Sequence, residues 1–398
     1  LLTIQILILF LFSQTPISTI LINPIAEQFA MGLDTARSFS HLLIIYVFII
    51  FIFIFNALCF IPIGHLISNL MSKTYTLVSY SFNLLGSLLG IILFIIFSFL
   101  ETSPSIWIIF SFILFVIIIR NYLKHYALSI LCVLFLTIIL SINIKGDKET
   151  IYSPYQNISI QHIASPINPI IIQNGHLFYQ TILNLSDDLL FTRENEVLDV
   201  RIMGPRVNKT HEKEFYNLPY SIVKKKPNSI LIVGSGAGND VASANRYSIK
   251  KITAVEIDPV IAELGNKYHP ELPYNNKNVT TVIDDARNYI SKTNQSFDSI
   301  VYALLDSQTN LSSKGGIRLD SYVYTVEAFK EAKQKLNNNG YIFLSFFAQE
   351  ERLAYKIFRM LETAFEKKPL VLKSDANDRY IFLASESFEN FNFNHLQF

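Results

Sequence analysis

The sequence predicts a protein of two parts, an α-helical membrane segment over residues 1–150 followed by an α/β domain with an open, mostly parallel sheet. Charge is divided sharply between them. Residues 1–143 contain four basic and three acidic residues, and the other 29 basic and 29 acidic residues lie in 144–398. Long apolar runs fill the first part, which is typical of membrane helices. Strand-like and helix-like segments alternate in the second part, which is typical of α/β folds.

The membrane part contains at least four candidate helices. A helix needs about 20 apolar residues to cross the hydrocarbon core of a bilayer. The apolar segments lie at residues 4–23, 41–64, 77–99, 106–120 and 127–143. The last two flank a short basic stretch and predict a helical hairpin, whereas the first is interrupted by Ser13–Pro16 and is either a truncated span or a re-entrant segment. Because the chain begins with Leu1, we expect further residues before it and take four helices as a minimum.

The second part divides into a small β-rich subdomain, residues 151–226, and a Rossmann-like domain, residues 227–398. In the subdomain, Asn174-Gly175 predicts a β-hairpin turn between two apolar runs. Strands are predicted at 155–160, 169–183, 229–235, 251–257, 279–284, 297–306, 341–347 and 379–385. Helices are predicted at 240–246, 259–268, 324–336 and 351–367, with a turn at Asn337–Gly340 closing the third. This alternation predicts an open sheet with helices on both faces.

A glycine-rich turn follows the first strand of the Rossmann-like domain. Gly234, Gly236 and Gly238 stand where the chain must turn tightly and open a helix. Glycine allows such a turn to approach a ligand without steric conflict from a Cβ. The pattern lacks the spacing of a dinucleotide fingerprint, so NAD is the weaker ligand, and no Walker A motif is present.

Two acidic residues end the next strands. Glu256 lies 20 residues after Gly236, where a carboxylate can accept hydrogen bonds from both hydroxyls of a ribose. Asp285 ends the third strand, where it can accept one from the exocyclic amine of adenine. The alternative is that both are solvated loop acids. Because ligands bind at the carboxyl edge of open α/β sheets, the ordered set predicts a nucleoside site.

Other residue patterns exclude some classes of function. The chain has a formal net charge of +1 and no basic region for nucleic acid. Its two cysteines, Cys59 and Cys132, lie in apolar runs, so neither a disulfide framework nor a cysteine metal site is expected. His176 and His269 lie beside turns and have no partner at metal-ligand spacing, and no metal is predicted. His211-Glu212 is interpreted as a solvated loop, with a role beside an acceptor as the alternative.

The motifs LIVGSGAGND, AVEIDP, DDAR, FDSIVYALLDSQT and YVYTVEAF together resemble the spermidine synthase-like (polyamine aminopropyltransferase-like) family of the class I methyltransferase fold. SPYQNISI resembles the start of that family's N-terminal β-domain, and NLLGSLLG resembles the membrane segment of members that carry fused transmembrane helices. The resemblance implies S-adenosylmethionine or decarboxylated S-adenosylmethionine as co-substrate.

The resemblance also implies site residues. The cofactor set comprises the three glycines at the methionine-derived end, Glu256 at the ribose, Asp285 at the adenine amine, and Gln156, Asp240 and Asp258. Asp306 corresponds to the second aspartate of the family's D-x-x-D motif and would contact the amine acceptor as the catalytic residue. Tyr155, Tyr324 and Thr325 would contact substrate.

Two positions depart from the family pattern. The aspartate that takes the proton from the attacking amine corresponds to Ala303, and the acid that pairs with the cofactor's amino group corresponds to Ala237. Loss of a carboxylate base costs roughly 10²–10⁴ in rate. Asp240 or Asp306 are the alternative bases.

The main hypothesis is a membrane-anchored aminopropyltransferase acting on a small amine or another small nucleophile. The alternatives are a methyltransferase and a non-catalytic nucleoside sensor or transport-linked protein. The lipid bilayer is an expected partner, nucleic acid is not, and a homodimer is an open possibility. Loop charges at Lys73, Arg120 and Lys124 favour a soluble part outside the cytoplasm. A cofactor made in the cytoplasm favours a soluble part on the cytoplasmic side, and this is the orientation we expect.

Overall fold

The computed structural model describes residues 38–73, 75–118, 149–162, 170–174, 177–186, 209–305, 322–348, 351–373 and 379–392. Its contacts divide the chain into two compact units, and within the described residues the boundary falls between Ser159 and Ile160. Each unit is described separately below.

Among its described residues, the first unit contains three apolar helices, α1 (Phe39–Met71), α2 (Thr76–Phe99) and α3 (Pro104–Ile118), and strand β1 (Glu149–Tyr152). Ser38 begins α1, its hydroxyl accepting a hydrogen bond from the His41 N–H. Residues 39–58 of α1 and all of α2 are long and apolar enough to cross a membrane. Their large apolar side chains are mostly exposed, which distinguishes them from core helices of soluble proteins.

The helical predictions for 41–64, 77–99 and most of 106–120 are confirmed by α1, α2 and α3. The predicted segments 4–23 and 127–143 lie outside the described residues.

A four-stranded sheet has the order β1-β2-β3-β4, with β2 at Asn157–His162, β3 at Ile170–Asn174 and β4 at Leu177–Ile182. The strands β3 and β4 are antiparallel and pair Asn174 with Leu177, so the hairpin predicted from Asn174-Gly175 is confirmed. Strand β1 was not predicted. The strand expected at 155–160 begins two residues later, because Ser153–Gln156 forms a turn closed by the Ser153 N–H donating to the Gln156 carbonyl.

The second unit contains a seven-stranded sheet of order β10-β11-β9-β8-β5-β6-β7. Its strands are β5 (Ser229–Val233), β6 (Lys251–Glu256), β7 (Val279–Ile283), β8 (Phe297–Tyr302), β9 (Leu336–Phe347), β10 (Leu370–Lys373) and β11 (Arg379–Ser385). Strands β5 to β9 are parallel, and β11 is antiparallel to both of its neighbours. The predicted methyltransferase-type Rossmann-like fold is confirmed by this mostly parallel sheet.

In the described part of this unit, six α-helices accompany the sheet: α4 (Lys209–Ser221), α5 (Asn239–Arg246), α6 (Pro259–Tyr268), α7 (Ala286–Lys292), α8 (Val326–Gln334) and α9 (Glu351–Phe365). Apolar side chains of β5 alternate between two cores. Ile230 and Ile232 pack with α4 and α5, whereas Leu231 and Val233 pack with α7, α8 and α9. Both faces of the central strands are therefore buried, which explains their continuous apolar sequences.

Several predicted boundaries in this unit were wrong. Strand β8 ends at Tyr302, not at residue 306. The predicted turn Asn337–Gly340 belongs to β9, and helix α8 ends at Gln334 because Leu336 already pairs with Phe297 of β8. His211 and Glu212 lie in helix α4, so the solvated-loop interpretation was wrong. The Glu212 carboxylate is buried and pairs with Arg379 of β11 at 3.1 Å.

Candidate functional site

The glycine-rich turn joins β5 to α5 and includes all three predicted glycines. Gly234, Gly236 and Gly238 have φ angles of 71°, 55° and 99°, a region that residues with a Cβ seldom adopt. A Cβ on Gly236 would lie 2.6 Å from Oε1 of Gln180, and one on Gly234 would lie 1.7 Å from Cδ2 of Leu305. The left-handed backbone conformation therefore favours glycine at these two positions, and a Cβ would also displace the ends of the Gln180 and Leu305 side chains.

Glu256 is the last residue of β6, and it contacts the glycine turn directly. Its side chain is buried, and Oε2 accepts a hydrogen bond from the Gly236 N–H at 2.8 Å. Its Oε1 accepts from the N–H groups of Ile257 and Asp258 at 2.9 and 3.0 Å. Burial raises the pKa of Glu256, and these backbone donors oppose that rise. Because a carboxylate has about four lone-pair sites, about one remains for a ligand hydroxyl.

The side chains around the turn fix its shape. The Gln180 Oε1 atom of β4 accepts a hydrogen bond from the Ala237 N–H at 2.8 Å. On another side, the Tyr274 hydroxyl bonds to the Gly236 carbonyl at 2.5 Å and to Ser235 Oγ at 3.0 Å. The backbone N–H groups of Gly236 and Ala237 are thus bound by side chains of β6 and β4, and the Gly236 carbonyl is bound by the Tyr274 hydroxyl.

Asn239 opens helix α5 and connects it to β4 and α4. Its Nδ2 donates to the Thr181 carbonyl at 2.8 Å and to the Tyr216 hydroxyl at 3.1 Å. Its Oδ1 accepts from the Leu183 N–H at 3.3 Å and lies 3.2 Å from His269 Nε2. Since Asn239 is buried and these backbone partners fix its amide orientation, it ties the β-rich strands to the start of the helix after the glycine turn.

His269 and Asp240 are titratable groups close to this connection. Burial, aided by the positive charge of Arg246, lowers the pKa of His269 to about 3, so the ring is neutral. Its Nδ1 accepts from the Glu271 N–H, which leaves Nε2 as the donor to Asn239. Desolvation raises the pKa of Asp240 to about 7, although its own backbone N–H and Arg246 oppose that rise.

Two other predicted cofactor residues begin helices. Asp258 is buried and caps α6, with Oδ1 accepting from the Val260 N–H at 3.0 Å. Asp285 caps α7, with Oδ1 accepting from the Asn288 N–H at 2.9 Å. Asp285 also lines an open cleft of about 450 Å³, together with Arg287, Asn288, Ser291, Tyr322 and Glu331. Asp258 and Asp285 therefore each have a structural role as a helix cap, in addition to the ligand role predicted for them.

The predicted acceptor residues are described only in part. Ala303 is buried directly after β8, and its N–H donates to the Val233 carbonyl at 3.1 Å. Asp306 lies outside the described residues. Thr325 caps α8 by accepting from the Ala328 N–H, and the Tyr324 ring contacts the Phe346 ring edge-on.

Tyr155 and Gln156 belong to the first unit. Both backbone N–H groups donate to Ser153 Oγ, at 3.1 and 2.9 Å. Their roles at substrate and cofactor stay predictions.

The structure therefore brings the three glycines and Glu256 together, and it adds residues that were not predicted. Gln180, Asn239 and Tyr274 contact the turn or the helix that follows it. Gly265 of α6 also lies against the turn, because a Cβ there would be 2.5 Å from the Ala237 carbonyl oxygen. A glycine inside an otherwise good helix is the one sequence signal that pointed to such a contact. Among the described residues, no group of three histidine, cysteine or acidic side chains could hold a metal ion.

This arrangement defines a class of protein, an open α/β domain with a glycine turn and a strand-end acid at the carboxyl edge of its sheet. Comparison with known proteins narrows the class. Residues 212–367 match the model of the spermine/spermidine synthase domain.

Curated relatives with similar sequences are polyamine aminopropyltransferases. A polyamine aminopropyltransferase of Thermoplasma volcanium is 28% identical over 127 residues, which is 31% of this chain and 43% of the relative. One of Sulfolobus acidocaldarius is 25% identical over 181 residues, 44% of this chain and 57% of the relative. The chain thus spans about half the length of the curated relatives it matches. The crystal structure of a probable spermidine synthase from Corynebacterium glutamicum has a TM-score of 0.44 and 18% identity, covering 62% of this chain and 82% of that one.

Proposed function

We propose that this protein is a membrane-anchored transferase that moves an aminopropyl group from decarboxylated S-adenosylmethionine to a small amine. The observation that carries the proposal is the hydrogen bond between Glu256 and the Gly236 N–H. It joins a buried strand-end acid to a glycine turn at the edge where open α/β sheets bind ligands. The match of residues 212–367 to the spermine/spermidine synthase domain supports the same reaction class.

In this proposal each residue has a position along the co-substrate. The remaining lone-pair site of Glu256 accepts a ribose hydroxyl, and Asp285 accepts from the adenine amine. The glycine turn faces the methionine-derived end, with Asp240 and Asp258 beside it. Tyr324 and Thr325 contact the acceptor.

The proposed reaction is a displacement at a carbon activated by a sulfonium. The amine nitrogen attacks this carbon with its lone pair, a C–N bond forms, and the C–S bond breaks with its electron pair going to sulfur as a neutral thioether. The new ammonium then loses a proton. Most of the rate enhancement comes from alignment of nitrogen, carbon and sulfur. Asp306 would contact the amine and receive the proton.

Methyl transfer from S-adenosylmethionine is the second candidate, and two positions favour it. Ala237 and Ala303 are both buried and offer no carboxylate. Without an acid at Ala237, a co-substrate that retains its own carboxylate meets no like charge there. The non-catalytic sensor remains the third candidate, since cofactor binding does not require an acid at Ala303.

The membrane part of the proposal rests on α1 and α2. Both are long enough to span a bilayer, and large side chains such as Phe53 and Phe82 are about 70% exposed. Exposure of so many apolar side chains to water would be strongly unfavourable, at roughly 25 cal/mol per Å². A lipid environment removes this cost.

The test uses the full chain in lipid nanodiscs with isotopically labelled co-substrates and putrescine. Mass spectrometry should detect aminopropylated amine only with decarboxylated S-adenosylmethionine. If methylated amine forms, and only with S-adenosylmethionine, aminopropyl transfer is refuted and methyl transfer is the function. If neither product forms with putrescine or with longer amines, both transferase candidates fail.

A further inference from the structure

Helices α2 and α3 form a hairpin whose turn, Leu100–Ser103, is held by polar and aromatic contacts. The Thr102 hydroxyl donates to the Phe97 carbonyl at 2.8 Å and accepts from Trp107 Nε1 at 2.7 Å. The Trp107 ring meets Phe94 edge-on at 4.9 Å. This end of the hairpin is therefore a fixed structure with an indole beside its polar turn.

A second turn is attached to this hairpin end within the same compact unit. Ser98, in the last turn of α2, donates from Oγ to the Pro154 carbonyl at 3.0 Å. Pro154 lies inside the turn Ser153–Gln156, which Ser153 closes through its own N–H and its Oγ. Ser153 itself is buried, whereas the Tyr155 side chain is 46% exposed.

Helix length determines where this attachment would lie in a membrane. The 24 residues of α2 extend about 36 Å at 1.5 Å per residue, slightly more than a hydrocarbon core of about 30 Å. Its two ends therefore lie at opposite surfaces, with Lys73 before one end and Ser98 in the other. Tryptophan and tyrosine are enriched at the membrane–water interface, where Trp107 and Tyr155 would lie.

We propose that the turn Ser153–Gln156 is a membrane-interface element, with the Tyr155 ring among the lipid headgroups and Ser98 as the positioning residue that holds it there. This inference rests on the membrane location in the proposed function. It places the start of the β-rich subdomain on the same side of the bilayer as Glu101 and on the side opposite Lys73. The start of this subdomain is then attached directly to a membrane helix, and the headgroup location takes the place of the acceptor contact predicted for Tyr155.

The location test uses two fluorescent reporters in phosphatidylcholine nanodiscs. Trp107 is the chain's only tryptophan and reports the hairpin end without labelling. A bimane label on Tyr155→Cys, in a Cys59→Ala/Cys132→Ala background, reports the turn. Lipid with a nitroxide on its headgroup should quench the fluorescence of both reporters. For the bimane label, this quenching should be at least threefold stronger than quenching by iodide in the aqueous phase.

The membrane location of the hairpin and the interfacial position of the turn can be refuted separately. If nitroxide and brominated lipids leave Trp107 unquenched, the membrane location in the proposed function is wrong and the inference falls with it. If lipid quenches Trp107 while only iodide quenches the Tyr155 label, the membrane location stands and the inference alone is overturned. Neither result depends on binding of any co-substrate.

Matched serine variants test the positioning role. Ser98→Ala should raise hydrogen exchange of the Tyr155 and Gln156 amides by roughly three- to tenfold, the effect of one hydrogen bond. Ser98→Thr retains the hydroxyl and should restore protection. Ser87→Ala is the control, because Ser87 Oγ donates within its own helix, to the Asn83 carbonyl. Exchange and label quenching unchanged in Ser98→Ala would refute the positioning role.

Discussion

Glu256→Gln tests the predicted ribose contact, because it preserves the size of a buried side chain while removing its charge. In the wild type the carboxylate accepts three backbone N–H groups, from Gly236, Ile257 and Asp258. A glutamine has one oxygen, so it can satisfy the Ile257 and Asp258 donors and must turn its NH₂ toward Gly236. The variant therefore leaves one buried donor without an acceptor.

The magnitude follows from the number of lone-pair sites. With three sites used, about one hydrogen bond to a ribose hydroxyl is available, and a bond to a charged group is worth about 1.5–3 kcal/mol. That corresponds to a roughly 10- to 150-fold rise in the Kd of the co-substrate. Stability should fall by about 1–3 kcal/mol because the Gly236 N–H is left unsatisfied. A larger binding loss would indicate that Gly236 releases the carboxylate when co-substrate binds.

Asp298→Asn is the matched control for this measurement. Asp298 also accepts two backbone N–H groups, from Asn228 and Ser229, but at the amino-terminal edge of the sheet. Titration calorimetry of the full chain should show weakened binding for Glu256→Gln and unchanged binding for Asp298→Asn. Equal affinity in wild type and Glu256→Gln would show that the ribose does not contact Glu256.

Two further predictions concern the surroundings of the turn. Gly236→Ala should destabilise the protein by about 2–5 kcal/mol, from left-handed backbone strain and from displacement of Gln180 from the Ala237 N–H. Denaturant unfolding should show a smaller penalty in a Gln180→Ala background, and an equal penalty there would contradict this explanation. In the folded state His269 is neutral, because its pKa is lowered from 6.5 to about 3. Between these two pH values the histidine of the unfolded chain binds a proton and that of the folded chain does not. The free energy of unfolding therefore falls as the pH decreases from 6.5 toward 3. His269→Gln should make the unfolding midpoint less dependent on pH between 7 and 5, and an unchanged slope would show that another group is responsible.

The strands of the large sheet were predictable where the sequence is apolar on both faces. Ile230–Val233 is buried completely, and such runs bounded by polar residues are recognisable as central strands. Helix α6 was predicted with its observed bounds because Asp258 caps it and Pro259 occupies its first position.

Short or polar elements were missed for physical reasons. Strands β1 and β10 have four residues each, too few for a period to be distinguished. Helix α4 is polar and contains Pro219, so its helical state depends on burial of Leu218 and Tyr220 in the core. Asn337–Gly340 has the composition of a turn but continues β9, since pairing with the neighbouring strands outweighs local preference.

The site was predictable only as far as strand order determines it. Glycines and acids at strand ends converge at one edge in any parallel sheet, which is why Gly236 and Glu256 were expected together. Gln180 and Tyr274 reach the turn from elements distant in sequence, and no spacing rule predicts those contacts. Likewise, the Ser98–Pro154 hydrogen bond joins residues 56 positions apart.

We propose above all that the carboxyl edge of this sheet binds an S-adenosylmethionine-type co-substrate. Titration calorimetry of the full chain in nanodiscs, with S-adenosylmethionine and its decarboxylated form, tests it most directly. We expect saturable binding of one molecule per chain for at least one compound, weakened by Glu256→Gln and unaffected by Asp298→Asn. Absence of binding by both compounds to the folded protein would contradict it.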